Sequence, residues 1–115
     1  MPLTEVTSEN FPHEVLSADL PVLVDFWGPR CAPCIALMPA VEALAEQHAA
    51  QLKVVKVNAN ARENWPLSRE HSVLGLPAYL FFRKGNEVKR LSGNNVTRQS
   101  LAEAIEELVN TIWEE

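Results

Sequence analysis

Val22-Leu23-Val24-Asp25-Phe26-Trp27, followed after Gly28-Pro29-Arg30 by Cys31-Ala32-Pro33-Cys34, is the stretch on which the fold turns. A continuous apolar, β-branched and aromatic run reads as a strand buried on both faces of a partly parallel sheet, and so as a central strand. Asp25 stands in the middle of that run. A carboxylate is costly to bury there, and desolvation should raise its pKa. Cys31 and Cys34 are the only cysteines in the chain. A staple in a small secreted domain closes a long loop, and this pair closes almost nothing. Structural zinc needs a full tetrahedral set of Cys and His, and His13, His48 and His71 are scattered without ligand spacing. A reversible dithiol is the reading left, and its surroundings decide it.

Upstream, Ser8 to Ala18 has a Ser/Glu/Asn start and carries Phe11, Val15 and Leu16, which predicts a short first helix ending before Pro21. Downstream, Cys34 to Gln51 sets Met38, Val41, Ala45 and His48 along one side, with Ile35, Leu37 and Leu44 flanking. This predicts a long helix kinked at Pro39. Leu52 to Asn58 reads as a second strand and Glu63 to His71 as a shorter helix, completing a right-handed βαβ unit. Past Gly75-Leu76-Pro77, Ala78 to Phe82 forms a third strand. Lys84-Gly85-Asn86 turns it into Glu87 to Leu91 as a hairpin. Thr97 can cap a last helix with Leu101, Ile105, Leu108 and Ile112 inward and Glu103, Glu106 and Glu107 outward. The sum is an α/β fold: a mixed central sheet with helices on both faces.

A chain of 115 residues predicts one domain spanning 1–115. With 47% apolar and 22% charged residues it suits a soluble globular chain. Ten Lys and Arg stand against 15 Asp and Glu, a net charge of -5, which argues against a phosphate-tracking nucleic-acid binder. Met1 to Asn10 has no basic segment followed by an apolar core, so no secretory signal is read and a cytoplasmic location is expected. The longest apolar stretch, Leu20 to Trp27, contains Pro21 and Asp25 and is far short of the ~20 residues of a membrane span.

In order along the chain, Asp25-Phe26-Trp27, Cys31-Ala32-Pro33-Cys34, Pro39, Lys56 before Val57-Asn58, and Gly75-Leu76-Pro77 resemble the thioredoxin family. The resemblance runs through nearly the whole length. It implies the thioredoxin fold and a thiol-disulfide oxidoreductase that reduces protein disulfides without a bound cofactor. Its partners would be disulfide-containing client proteins and, as electron donor, a flavoprotein thioredoxin reductase.

A cysteine pair opening a helix puts the first sulfur near unpaired backbone N–H groups and the positive end of the helix dipole, which favours a thiolate. Cys31 is then the nucleophile. Cys34, three residues on and deeper in the first turn, is the resolving thiol. Pro33 lacks an N–H where none is needed and stiffens the loop. In the family, the carboxylate matching Asp25 lies beneath the second cysteine and relays its proton through water, with a lysine at the position of Lys56 nearby. The competing reading is a structural Asp25–Lys56 ion pair. Leu76-Pro77 resembles the family's X-cis-Pro loop, whose free backbone groups would pair with an extended client segment. Trp27 is expected to pack under the dithiol loop.

Arg30 stands where the family commonly has a second Trp, and Ala32 replaces the usual Gly. Ala59, Ser92, Gly93 and Asn94 are expected to flank Leu76, predicting a smaller, more polar docking groove. Within enzymes the alternative is a thiol oxidase or isomerase, favoured if Arg30 stabilises the thiolate strongly. From another class comes a binding module with an incidental dithiol. His48 reads as an ordinary helix histidine, Trp65 and Trp113 as packing residues, and Glu114-Glu115 as a solvated helix end.

Overall fold

The computed structural model describes residues 2–111. In chain order it contains β1 Thr4–Glu5, β2 Val22–Trp27, α1 Ala32–Gln47, β3 Lys53–Asn58, α2 Trp65–Glu70, β4 Ala78–Arg83, β5 Asn86–Ser92 and α3 Arg98–Asn110. The sheet order is β1-β3-β2-β4-β5. β2 is its middle strand, parallel to β3 and antiparallel to β4. Its run from Val22 to Phe26 is buried, as a strand covered on both faces must be.

Alternation along β2 and β4 divides the core. Val22, Val24, Phe26, Leu80 and Phe82 pack with Phe11 and with Leu67 of α2 on one face. Leu23, Tyr79 and Phe81 pack with Leu44 of α1 and Leu101 and Ile105 of α3 on the other. Each large side chain removed from water contributes about 1.5–3 kcal/mol, so the two layers hold β2 from both sides. The Thr97 hydroxyl caps α3 by accepting from the Ser100 N–H at 3.0 Å, and the Ser100 hydroxyl closes the capping box. The β4–β5 turn uses Lys84 and Gly85, both with positive φ (52° and 81°), which suits a two-residue hairpin.

Several sequence expectations need correcting. The first helix is not Ser8 to Ala18 but a single π-helical segment, Pro12–Leu16. Pro12 has no N–H to continue a ladder from Ser8, and the Ser17 N–H instead reaches back to the Pro12 carbonyl at 3.0 Å. α1 starts two residues earlier than the expected Cys34 and stops at Gln47, where the His48 N–H closes onto Leu44 and the chain turns into β3. Ile35, expected to flank the buried side, is 48% exposed. Pro39 lies inside α1, where the sequence reading places it. α2 is preceded by a 3-10 turn, Arg62–Asn64, and is shorter than Glu63 to His71. The two-residue β1 edge strand has no counterpart in the sequence reading. Ile112, Trp113, Glu114 and Glu115 lie outside the described residues. Among those described, no helix is long and apolar enough to cross a membrane.

Candidate dithiol site

The end of β2 delivers the chain to the start of α1 through a tight turn, in which the Cys31 N–H donates to the Gly28 carbonyl at 3.1 Å. Gly28 lies close to two side chains there. A Cβ at that position would stand 1.8 Å from the Asn60 side-chain oxygen and 3.2 Å from Leu76 Cδ1. Cys31 is the N-cap of α1 in extended conformation, and its Sγ accepts from the Cys34 N–H at 3.2 Å. Pro33 occupies the first turn, where its missing N–H costs no bond. The two sulfurs are bonded to each other across a Cα–Cα distance of 5.2 Å. Cys34 is fully buried and Cys31 partly exposed, while Arg30 and Ala32 are open to solvent. Among the described residues, no three His, Cys, Asp or Glu side chains gather where a metal ion could be held.

Asp25 lies on the β2 face covered by α1, two residues beyond Leu23, and is fully buried. Its strand neighbours are Lys56 on β3 and Tyr79 on β4. Neither carboxylate oxygen has a hydrogen-bond partner among the described residues, and the buried Tyr79 hydroxyl has none either. Burial pushes the Asp25 carboxyl up to about 7, against the pull of the Lys56 charge. Burial and the Asp25 charge together push the Tyr79 phenol well above its ordinary range. The Lys56 ammonium stands 5.3 Å from the Trp27 ring centroid, a cation–π contact, so it is not bonded to Asp25. The two strand neighbours thus interact through charge without a hydrogen bond between them.

The Leu76–Pro77 bond is cis. The Leu76 N–H and C=O make no backbone hydrogen bond among the described residues, whereas the Pro77 carbonyl accepts from the Gly93 N–H at 3.0 Å. A cavity of about 290 Å³ flanks this turn, lined by Val73, Leu74, Leu76, Arg90, Ser92 and Gly93. The groove differs from expectation in its lining. Ala59 packs against the core, and Asn94 is not part of the cavity wall. In their place come Val73 and Leu74, the latter 96% exposed. Trp65 is 49% exposed with the Arg62 guanidinium over its ring, which corrects its reading as a packing residue.

Arg90 holds the wall of this cavity. Its guanidinium donates to both Glu87 carboxylate oxygens, at 2.6 and 2.7 Å, and to the carbonyls of His71 and Ser72, at 2.6 and 3.0 Å. Those carbonyls follow the end of α2, so an arginine from β5 fixes the segment leading into the cis-proline turn. Sequence reasoning missed Arg90, Tyr79, Trp65 and Leu74. Only strand register brings Tyr79 opposite Asp25, and a charged residue on an edge strand reads as solvated.

The thioredoxin family model matches residues 2–107. The chain is 39% identical over 93 residues to a thioredoxin of Porphyra purpurea, covering 81% of this chain and 85% of that one. It is 37% identical over 102 residues to thioredoxin 1 of Nostoc sp., covering 89% and 92%. A third relative is the bifunctional thioredoxin reductase/thioredoxin of Mycobacterium leprae, 39% identical over 89 residues, which span 77% of this chain and 19% of that protein.

Proposed function

This chain belongs to the thioredoxin family, and from that premise we propose how its dithiol works and what it works on. It is a protein-disulfide oxidoreductase acting through Cys31 and Cys34. The observation that carries this reading is the cysteine pair itself, joined at the start of α1 with one sulfur reachable and the other buried.

In the reduced form the Cys31 thiolate, favoured by the helix start, attacks one sulfur of a client disulfide. A Cys31–client disulfide forms, and the other client sulfur leaves as thiolate and takes up a proton. Cys34 then passes its proton through water to Asp25 and attacks the Cys31 sulfur. The Cys31–Cys34 disulfide forms and the second client sulfur leaves as thiolate, to be protonated in turn. The client gains two electrons and the dithiol loses two. A carboxyl with a pKa near 7 suits the proton step at neutral pH, and the Lys56 charge tunes it. Trp27 and Pro39 shape the site around these groups. Arg30, Ala32, Pro33, Leu76, Pro77 and Gly93 form the surface a client meets, with the Leu76 backbone pairing to an extended segment.

Electrons return from an external flavoprotein reductase, a reading supported by the fused reductase/thioredoxin of Mycobacterium leprae. An electron donor of this kind works against a reducing pool, which supports a cytoplasmic role in electron transport and redox homeostasis, within one domain spanning 1–115. The test is insulin precipitation by dithiothreitol: the wild-type protein should shorten the lag strongly and Cys31→Ser should not. Equal lags with both proteins would refute the reading.

A further inference from the structure

We propose that the surface running from the Leu76–Pro77 turn across Val73 and Leu74 to Trp65 is a second client-docking subsite. Its occupant is a client segment presenting an apolar side chain next to a carboxylate. The inference rests on the reductase reading above and specifies which disulfide proteins that site prefers.

Continuity carries it first. The cavity beside the cis-proline turn, about 290 Å³, and a second of about 340 Å³ bordered by Trp65, Ser68 and Arg69 share the wall Ser72, Val73 and Leu74. A client strand paired at Leu76 and extended past that wall enters the second cavity directly. Leu76 lies beside the turn that leads to the dithiol, its Cδ1 3.2 Å from where a Gly28 Cβ would be.

Chemistry selects the occupant. Leu74, at 96% exposure, and Trp65, at 49%, are the two most exposed large apolar side chains among the described residues. They border one cavity, which makes a patch rather than scattered surface residues. Among the described residues, the one charged residue that borders this cavity is a cation, Arg69, although the chain as a whole carries -5. The Arg62 guanidinium lies 5.4 Å from the Trp65 ring centroid. Glu70 borders the opposite side of α2, next to Phe11 and Pro12. An apolar notch with the Arg69 guanidinium at its rim fits an apolar residue beside Asp or Glu, and repels a basic segment. The notch is also preformed, because Arg90 fixes its Ser72 wall from β5.

The test uses reduced wild-type protein and disulfide-bridged peptides bearing a Leu-Asp or a Ser-Lys pair about two to six residues from the cysteine, a reach of ~3.3 Å per residue. At the best offset kcat/KM for the Leu-Asp peptide should be about tenfold higher, with the difference in KM. Arg69→Glu should shift the preference toward Lys, and Trp65→Ser should weaken the preference for Leu. The charge reversal is a gain of a new preference, which an unfolded variant cannot produce. A wild type that reduces dithiobis(nitrobenzoate) yet treats all peptides alike would overturn the subsite alone, as would an Arg69→Glu variant with the original preference. A wild type that fails on dithiobis(nitrobenzoate) as well would overturn the reductase reading and the subsite together.

Discussion

Asp25 shows how one residue links burial to chemistry. Its ordinary carboxyl pKa is 3.8 and burial lifts it to about 7. Because the folded value is the higher one, the folded state holds the proton more tightly, and stability falls as pH rises from about 4 to about 7. Three pH units at about 1.4 kcal/mol each bound the loss at about 4 kcal/mol. Asp25→Asn should remove that slope, so urea unfolding should find the variant more stable at pH 8 and nearly unchanged at pH 4. In single-turnover kinetics the same variant should resolve the mixed disulfide more slowly and lose its pH dependence near 7. A destabilised variant with normal kinetics would mean Asp25 is structural. The two sulfurs should differ as well. With Cys34 fully buried and Cys31 at the helix cap, iodoacetamide at neutral pH should label Cys31 first, and mass spectrometry of the alkylated peptide would read the order. At this scale the sequence was most legible, since a lone carboxylate in an apolar run and a cysteine pair after it are local signals. Tyr79 was not, because its proximity to Asp25 depends on register between strands far apart in the chain.

Among the elements, legibility followed the strength of the local pattern. β2 and α3 match expectation because a buried apolar run and a capped helix with inward Leu101, Ile105 and Leu108 each carry a clear period. The first helix failed at Pro12, whose missing N–H changes the winding, and β1 is too short to carry any alternation. The segment between α2 and the cis-proline turn is held by Arg90 of β5, a contact between elements that no window of sequence displays. Arg90→Ala should free the His71 and Ser72 carbonyls. Its ion pair with Glu87 is partly exposed, so the loss of stability should be about 1–2 kcal/mol by urea unfolding. KM for protein disulfides should rise more than kcat falls, and Arg90→Lys should restore little, since an ammonium lacks the planar fork. Equal KM values for Arg90→Ala and the wild type would show that the segment keeps its shape unaided. Gly28→Ala should cost less, because the atom its methyl group meets most closely is the end of the exposed Asn60 side chain, which can turn away.

Over the whole molecule, a two-layered core clamps β2, the strand that carries Asp25 and leads to the Cys31–Cys34 turn, while the surface beside Leu76 is built by segments at the edge of that core. That division explains why the reaction could be read from the sequence and the groove could not. The chemistry sits on a buried strand and a helix start, whereas the groove is assembled from the segment after α2, the cis-proline turn and β5. Arg30 and Ala32 are exposed beside the dithiol, and they leave the core beneath it intact. The central claim is that this dithiol passes two electrons to a protein disulfide. Mixing stoichiometric, fully reduced protein with insulin, with no other reductant present, tests it most directly. The account predicts that each Cys31–Cys34 disulfide formed is matched by one insulin disulfide opened, counted by thiol labelling and mass spectrometry. Insulin left intact while Cys31 and Cys34 remain thiols would contradict it.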